Sequence, residues 1–92
     1  MRFDWNDQKS KLLKSQRGYS FDEIITLFAG DYVERVKNDS PEQFIAIGYV
    51  GYSLLSIIYE IRYDEEGEYI WLVTYWKSTR REKEIYEQYF YG

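Results

Sequence analysis

Three apolar runs between Phe44 and Trp76 constrain the fold of this chain more than any other feature of its sequence. They span residues 44–50, 54–63 and 69–76, and only short segments that contain glycine separate them. Runs of β-branched and aromatic residues joined by such short loops are typical of antiparallel hairpins. The sequence therefore predicts a three-stranded meander at the centre of the fold.

The middle run indicates how the sheet is covered, because its side chains alternate with a period of two residues. One face is wholly apolar and holds Leu55, Ile57, Tyr59 and Ile61, while the other holds Leu54, Ser56, Ile58, Glu60 and Arg62. A sheet with helices on one side and water on part of the other has this pattern. We therefore expect a functional site on the mixed face.

The third run is aromatic on both faces. Simple alternation places Tyr69, Trp71 and Tyr75 on one face and Trp76 on the other. Exposed rings at these positions would suit a binding surface. A plain core would explain most of these rings instead, because aromatic side chains are favoured in strands and contribute much of the energy of burial.

The segments that flank the meander predict helices with clear ends. Residues 2–5 alternate as in a short edge strand, and Asn6 or Asp7 can cap a helix that ends near Gln16, before Gly18. Such caps satisfy the free amide and carbonyl groups at helix ends. The N-terminal part of the chain is therefore expected to form a strand followed by a helix.

Two capping boxes predict the remaining helices. Ser20 and Glu23 open a second helix that Gly30 ends, and its apolar stripe consists of Phe21, Ile24, Ile25, Leu27 and Phe28. Thr79 and Glu82 open the last helix, and its stripe consists of Ile85, Tyr86, Tyr89 and Phe90. Both stripes are expected to pack against the sheet.

One more strand completes the expected fold. Residues 32–36 alternate weakly and predict an outer strand of the meander, and residues 37–41 have turn chemistry. The element order is then β-α-α-β-β-β-β-α in a single α+β domain over residues 1–92. We expect an antiparallel sheet with two N-terminal helices on one face and a C-terminal helix that closes one end.

The chain contains no cysteine and no histidine. This removes disulfides, thiolate nucleophiles, imidazole bases and Cys/His zinc sites, so we expect no metal site. No apolar run approaches the ~20 residues needed to cross a bilayer, and none has the pattern of an export leader. These features predict a cytoplasmic protein that does not bind a membrane.

The charge is distributed unevenly along the chain. The net charge is -4 overall, but residues 1–19 carry +3 and residues 77–92 carry +1, whereas residues 20–76 carry -8. If the two basic ends meet in space, they form a positive patch that suits an anionic ligand. A chance scatter of charges remains the alternative.

Arg80 and Arg81 stand in the first turn of the last predicted helix, where the helix dipole disfavours cations. An anion bound there would meet free backbone amides and two guanidinium groups together. The pair therefore suggests a ligand. The alternative is that both arginines pair with the acidic middle of the chain.

Several motifs, taken together, resemble one known family. They are Phe3-Asp4-Trp5 with Lys9, Gly18 followed by Ser20-Phe21-Asp22-Glu23, Phe28-Ala29, Glu42 through Gly48, Leu54-Leu55 with Tyr59 and Arg62, and Thr79-Arg80-Arg81-Glu82 with Tyr86. The chain is similar along nearly its whole length to the BrnT toxins of bacterial type II toxin-antitoxin systems, a branch of the RelE-like ribonuclease fold.

The resemblance implies a ribonuclease toxin that cleaves RNA and inhibits translation. It also implies that a ribbon-helix-helix antitoxin of the BrnA kind neutralises the toxin, that the toxin meets DNA only through the antitoxin complex, and that cleavage needs neither metal nor cofactor. RelE-like toxins work with Lys, Arg and Tyr, so the absence of histidine does not exclude this chemistry.

The chain departs from the family pattern at several positions. Leu13 and Gln16-Arg17-Gly18 stand where the family usually has Asn and Lys-His-Gly, and Thr74-Tyr75-Trp76 replaces Ser-Ala-Arg. Trp71 stands where the family usually has another Arg. A second interpretation follows from these losses: a catalytically degenerate, toxin-like protein that acts as a protein-binding module.

RNA cleavage without a metal needs a base, cations for the phosphorane charge and an acid. Without histidine, the base is Glu60, Glu82, or a Lys or Tyr whose pKa is shifted. The predicted catalytic residues are Arg62, Lys77, Arg80, Arg81 and Tyr86, and the predicted RNA-binding residues are Lys9, Lys14, Arg17, Tyr75 and Trp76. Tyr86 also fits a core position, and exposed lysines are often only a solvated helix face.

Overall fold

The three apolar runs form three long neighbouring strands, as the sequence predicts. The computed structural model describes the whole chain, Met1–Gly92. Its elements are β1 (Phe3–Asp4), α1 (Asp7–Arg17), α2 (Phe21–Ile24), a 3-10 helix (Ile25–Ala29), β2 (Tyr32–Asp39), β3 (Glu42–Val50), β4 (Ser53–Asp64), β5 (Gly67–Lys77) and α3 (Arg80–Tyr91). The α+β class and the predicted order of elements are confirmed.

The five strands form one mixed sheet in the order β1-β5-β4-β3-β2. Strands β2 to β5 are antiparallel neighbours, but β1 runs parallel to β5, with Phe3 opposite Ile70. The prediction of a wholly antiparallel sheet is therefore wrong at this edge. No hairpin joins β1 to β5, so no tight turn dictates their relative direction.

The N-terminal helices cover one face of the sheet and form the main core with it. Leu13 of α1 and Phe21 and Ile24 of α2 pack there against the apolar face of β4, including Leu55 and Ile57. All five side chains are buried. The face assignment made from the alternation of β4 is confirmed.

A β-bulge in β5 changes which aromatic side chains share a face. Ile58 pairs with Thr74 and Tyr59 pairs with Leu72, so Val73 has no partner and the alternation shifts by one residue. Trp71 and Trp76 therefore lie on the same face of the sheet. Tyr75 lies on the helix-covered face and belongs to the main core. The simple alternation expected from the sequence is wrong for this run.

The helix α3 covers part of the second face. It contacts β2 and β3, and Tyr86 packs with Val33, Ile47 and Leu54 in a second, smaller core. The part of this face that belongs to β4 and β5 carries the half-buried rings of Trp71 and Trp76. This is the mixed face that the sequence predicts.

Two predicted boundaries and one predicted burial differ from the structure. Strand β2 continues to Asp39, beyond its predicted end at Val36, because Asn38 and Asp39 still pair with β3 across a bulge. The second helix has only four α-helical residues before it tightens into the 3-10 helix. Tyr89 is exposed rather than buried, since α3 rests on the sheet through Ile85, Tyr86 and Phe90. None of the helices is long and apolar enough to cross a membrane.

Candidate nucleic-acid interface

The C-terminal end of α1 is attached to the end of β5. Asn6 caps the first turn of α1 by accepting a hydrogen bond from the Lys9 amide at 2.9 Å, and Gly18 ends the helix with φ 96°. Arg17, the last helical residue, donates through Nη1 to the carbonyl oxygen of Tyr75. This hydrogen bond fixes the end of α1 and places Arg17 beside the C-terminal end of β5.

Tyr75 reinforces this attachment from inside the core. Its hydroxyl donates to the Tyr19 carbonyl oxygen at 2.7 Å and accepts from the Tyr19 amide at 3.0 Å. The residue is only 1 % exposed, and burial raises the pKa of its hydroxyl. The ring has no free face for a base, so the predicted base stacking on Tyr75 is not available in this structure.

A buried polar network fixes the N-terminus of α3 to the sheet. Glu82 Oε1 accepts hydrogen bonds from the Thr79 amide at 2.8 Å, from Trp76 Nε1 at 2.9 Å and from Ser56 Oγ at 2.9 Å. Ser56, which is 0 % exposed, also shares a 2.8 Å hydrogen bond with Ser78. One carboxylate thus joins β4, β5 and the first turn of α3.

Arg80 and Arg81 project from the turn that this network fixes. Their side chains are 95 % and 80 % exposed, and both approach only Glu84, at 3.7 Å and 3.9 Å. They do not pair with the acidic middle of the chain, so that alternative is wrong. Ion pairs this long and exposed contribute little energy, which leaves both guanidinium groups available to a ligand.

Four of the predicted cationic residues lie at one end of the sheet. Lys77 is the last residue of β5 and pairs with Leu55 near the start of β4. It lines a small pocket together with Arg17, and Arg80 and Arg81 follow it within four residues. Arg17 of the N-terminal basic segment therefore meets Lys77 of the C-terminal basic segment in space, which is the condition for a positive patch. We call Arg17, Lys77, Arg80 and Arg81 the basic end.

Arg62 does not belong to the basic end. It pairs with Tyr69, seven residues along β4 from Leu55, which corresponds to about 23 Å of strand. Its guanidinium donates to Glu60 at 2.8 Å and lies 4.5 Å from the centre of the Trp71 ring. The structure therefore divides the predicted catalytic residues between two ends of the sheet.

Tyr86, the fifth predicted catalytic residue, lies inside the second core. It is 5 % exposed and contacts the rings of Tyr49 and Phe90, with centroids 5.5 Å and 4.7 Å away. Burial raises the pKa of its hydroxyl, and the nearby Tyr91 and Asp31 raise it further. Its position and its pKa both favour the core role over proton transfer.

The predicted RNA-binding residues outside the basic end have varied surroundings. Lys14 is paired with Glu23 at 2.8 Å, and this contact, together with hydrogen bonds from Ser20, lowers the pKa of Glu23 to about 2. Lys9 is half-buried beside Leu12 in a shallow depression along β5. Trp76 is half-buried and directs its ring nitrogen to Glu82. Lys14 is thus already paired, whereas Lys9 and Trp76 keep part of their surface accessible.

Neither carboxylate considered as a general base has its pKa raised towards neutrality. The hydrogen bond from Gln43, at 2.7 Å, lowers the pKa of Glu60, and the hydrogen bonds from Arg62 lower it further. Burial raises this pKa, but the net shift is downward. Burial raises the pKa of Glu82, but the donors Thr79, Trp76 and Ser56 outweigh it and the net shift is downward. Both groups are weak bases as a result.

Sequence reasoning missed two features of this region. The Ser56–Glu82 contact joins residues on separate elements, so it cannot be predicted without the register of β4 and the position of α3. The hydroxyls of Tyr19 and Ser53, 3.1 Å apart, complete the pocket beside Lys77. A serine inside an apolar run was the available signal for Ser56, since a polar group buried there needs a partner.

The wider comparisons give no independent identification. No model of a known protein family matches the chain, and no curated protein matches it significantly. In the structure, no cluster of three or more acidic side chains is arranged to hold a metal ion. The geometry of the basic end therefore carries the functional argument.

Proposed function

We propose that the protein is a ribonuclease toxin of the BrnT type, with a RelE-like fold, that binds RNA through its basic end and inhibits translation by cleaving it. The observation that supports this most is the meeting of Arg17 and Lys77, from opposite ends of the chain, beside the exposed Arg80 and Arg81. Phosphate groups are the natural ligands of clustered guanidinium and ammonium groups.

The basic end supplies the electrostatic part of the reaction. Arg80 and Arg81 stabilise the charge that develops on the phosphorane when the 2'-hydroxyl attacks, and Lys77 holds a neighbouring phosphate. Trp76, at the end of the mixed face, keeps part of its side chain accessible to a base, and stacking contributes about 1 to 3 kcal/mol per base. The Glu82 network keeps this first turn of α3 rigid, which positioned cations require.

The pH dependence of cleavage follows from the absence of a tuned base. The chain has no histidine, the pKa values of Glu60 and Glu82 are lowered, and those of Tyr75 and Tyr86 are raised. We expect the rate to rise steadily between about pH 6 and pH 8.5 rather than follow a bell-shaped profile. A bell with its maximum near neutrality, measured on a short RNA, would contradict this account.

A ribbon-helix-helix antitoxin of the BrnA kind is the proposed protein partner, in the cytoplasm. The aromatic side chains Tyr49, Tyr52, Tyr89 and Tyr91 are exposed near the C-terminal half of α3 and the β3–β4 turn. Exposed tyrosines of this kind are enriched in protein interfaces. We assign the antitoxin to this aromatic surface and RNA to the basic end. DNA contacts would come only through the antitoxin.

A second candidate function is that of a catalytically degenerate, toxin-like binding module. Two observations favour it: Arg62 lies about 23 Å of strand from the basic end, and Glu60 and Arg62 neutralise each other. In this case the aromatic surface alone carries the function. The two candidates differ in one measurable property, since only the first requires RNA cleavage.

The test is induced expression in bacteria with growth and RNA integrity as readouts. The wild-type chain is compared with the double variant Arg80→Ala/Arg81→Ala, whose positions are so exposed that folding is retained. Arrest with RNA fragments in the wild type, and neither in the variant, supports the toxin. As a control, Lys11→Ala/Lys37→Ala removes the same charge from exposed positions on α1 and β2 and keeps the activity.

Normal growth and intact RNA from a well-folded wild-type chain would contradict the toxin and leave the binding module. Arrest that persists in the Arg80→Ala/Arg81→Ala variant would contradict the assignment of the active surface to the basic end. In the latter case Arg62→Ala, at the other end of the sheet, is the next variant to compare.

A further inference from the structure

A small pocket lies at the basic end, where α1 ends, β4 begins and β5 ends. It is lined by Arg17, Tyr19, Ser53, Leu55, Tyr75 and Lys77, and its volume is about 280 Å³. Pockets that hold drug-sized ligands have volumes of about 300 to 1,000 Å³. The space therefore suits one small chemical group rather than a whole nucleotide.

The charged side chains of the pocket have donors to spare. Arg17 uses Nη1 to hold the Tyr75 carbonyl oxygen, which leaves most of the five N–H donors of a guanidinium free. Lys77 makes no side-chain hydrogen bond, and neither it nor Arg17 forms an ion pair with a carboxylate. No acidic residue lines the pocket. Two unpaired positive charges thus share one small space.

The two hydroxyl groups add a further donor. Tyr19 Oη and Ser53 Oγ lie 3.1 Å apart, so one donates to the other. The hydrogen of the accepting hydroxyl is then unused and can point into the pocket. Because the Tyr75 hydroxyl and the Tyr75 carbonyl oxygen are already bonded, the pocket has a surplus of donors over acceptors. Such a surplus selects an anion with several acceptor oxygens.

We infer that this pocket binds one phosphate group, held by Lys77, Arg17 and the Tyr19–Ser53 hydroxyl pair. Phosphate matches a fork of guanidinium donors and an ammonium group better than a carboxylate does, since it presents more oxygens. The inference rests on the proposed function for the source of the phosphate, the backbone of a bound RNA. The same site would accept free phosphate, because the chemistry of the group is the same.

An RNA strand can reach the pocket and the start of α3 together. Arg80 follows Lys77 by three positions, so at most about 11 Å of chain lies between their Cα atoms. A phosphate in the pocket would therefore anchor the strand beside the exposed Arg80 and Arg81. The pocket fixes the position of the strand, and the arginines act on its neighbouring phosphate.

The experiment titrates the folded protein with inorganic phosphate and, separately, with a short single-stranded RNA at constant ionic strength. Lys77→Gln removes one charge from the pocket, and Ser53→Ala removes a hydroxyl without changing any charge. Lys37→Gln, at an exposed position on β2, is the matched control for charge. We expect Lys77→Gln to weaken both ligands about tenfold, Ser53→Ala about threefold and Lys37→Gln less than twofold.

Competition between phosphate and RNA, with both affinities lowered by Lys77→Gln and Ser53→Ala, supports the inference. Binding of phosphate with this pattern but no binding of RNA supports the pocket and overturns the proposed function. Binding of RNA that Lys77→Gln and Lys37→Gln weaken equally, with no effect of Ser53→Ala, overturns the pocket and leaves the proposed function intact. Binding of neither ligand overturns both.

Discussion

Two buried tyrosine hydroxyls in this protein differ in whether they have hydrogen-bond partners. Tyr75 Oη bonds to both the amide and the carbonyl group of Tyr19, whereas Tyr59 Oη is buried without any partner. Both side chains are 1 % exposed. A buried polar group without a partner retains the full cost of its desolvation. The hydroxyl group therefore stabilises the fold at Tyr75 and destabilises it at Tyr59.

The Tyr59→Phe and Tyr75→Phe variants test this difference, since each removes only the hydroxyl. We expect Tyr59→Phe to leave the free energy of unfolding unchanged or raise it by up to about 1 kcal/mol, and Tyr75→Phe to lower it by about 1 to 2 kcal/mol. Urea denaturation of the two variants measures both values. Equal losses of stability would show that Tyr59 has a partner that the structure does not reveal.

Close packing at one glycine joins the 3-10 helix to β3. A Cβ atom at Gly48 would lie 3.0 Å from Leu27 Cγ and 3.0 Å from Tyr32 Cβ. We expect Gly48→Ala to lower the free energy of unfolding by about 1 to 3 kcal/mol, because the core must shift to admit a methyl group. Gly30→Ala is the control, since its Cβ would meet only the Leu27 carbonyl oxygen, at 3.8 Å. Similar stabilities of the two variants, in urea denaturation, would contradict the close contact.

At the scale of elements, the attachment of α3 depends on one carboxylate. Glu82 satisfies the Thr79 amide at the helix start and also holds donors from β4 and β5. Its removal leaves Ser56 Oγ and Trp76 Nε1 without this acceptor in a half-buried site. Since α3 carries Arg80 and Arg81, the stability of this junction also determines where two of the proposed RNA-binding cations lie.

Glu82→Gln tests the junction through its pH dependence. The folded-state pKa of Glu82 lies below its ordinary value of 4.5, so its contribution to stability is complete above that pH and is lost as the pH falls through the folded pKa. We expect the variant to be less stable than the wild type at pH 7, by about 1 to 3 kcal/mol, and the difference to shrink below pH 4.5. Thermal unfolding of both proteins measures this difference in stability. A difference that stays constant down to about pH 3 would contradict this role.

Much of the element order could be predicted from the sequence because its signals are local. The capping box of Thr79 and Glu82, the Asn6 cap and the alternation of β4 each involve residues within a few positions of one another. Those patterns require no knowledge of the tertiary fold. The predicted strands, helices and helix-covered face are accordingly confirmed.

The candidate site was harder to predict because it depends on register and on contacts between distant residues. The unpaired Val73 reverses the faces of Tyr75 and Trp76, and nothing in the local sequence marks this bulge. Arg62 and Lys77 belong to neighbouring strands, yet the register places them at opposite ends. The contact between Arg17 and Tyr75 joins residues that are 58 positions apart in the chain.

At the scale of the whole molecule, a local positive region lies on an acidic protein. The net charge is -4, yet Arg17, Lys77, Arg80 and Arg81 share one end of the sheet. The acidic remainder repels nucleic acid, which restricts RNA to this end and disfavours indiscriminate coating. The exposed tyrosines of the aromatic surface border this region, because Tyr89 and Tyr91 line one groove with Arg81. RNA and a protein partner therefore have adjoining surfaces available.

The salt dependence of RNA binding tests how many of these cations take part. Three to four phosphate contacts predict a slope of about -2 to -3 in a plot of log affinity against log salt concentration. Removing Arg80 and Arg81 together should make the slope less steep by about 1.4, whereas Lys11→Ala/Lys37→Ala should leave it nearly unchanged. Fluorescence anisotropy with a labelled RNA gives both slopes. Equal changes in the two double variants would indicate diffuse attraction instead of a defined interface.

The most direct test of the basic end is a map of backbone amide shifts when the labelled protein is titrated with a short single-stranded RNA. The account predicts shifts confined to residues 17–19, to Ser53 and to residues 77–82, with little change around Arg62 and Tyr69. Shifts centred on Arg62 and Tyr69 would contradict the placement of the interface. The absence of any shift, at RNA concentrations where the protein remains folded, would contradict RNA binding itself.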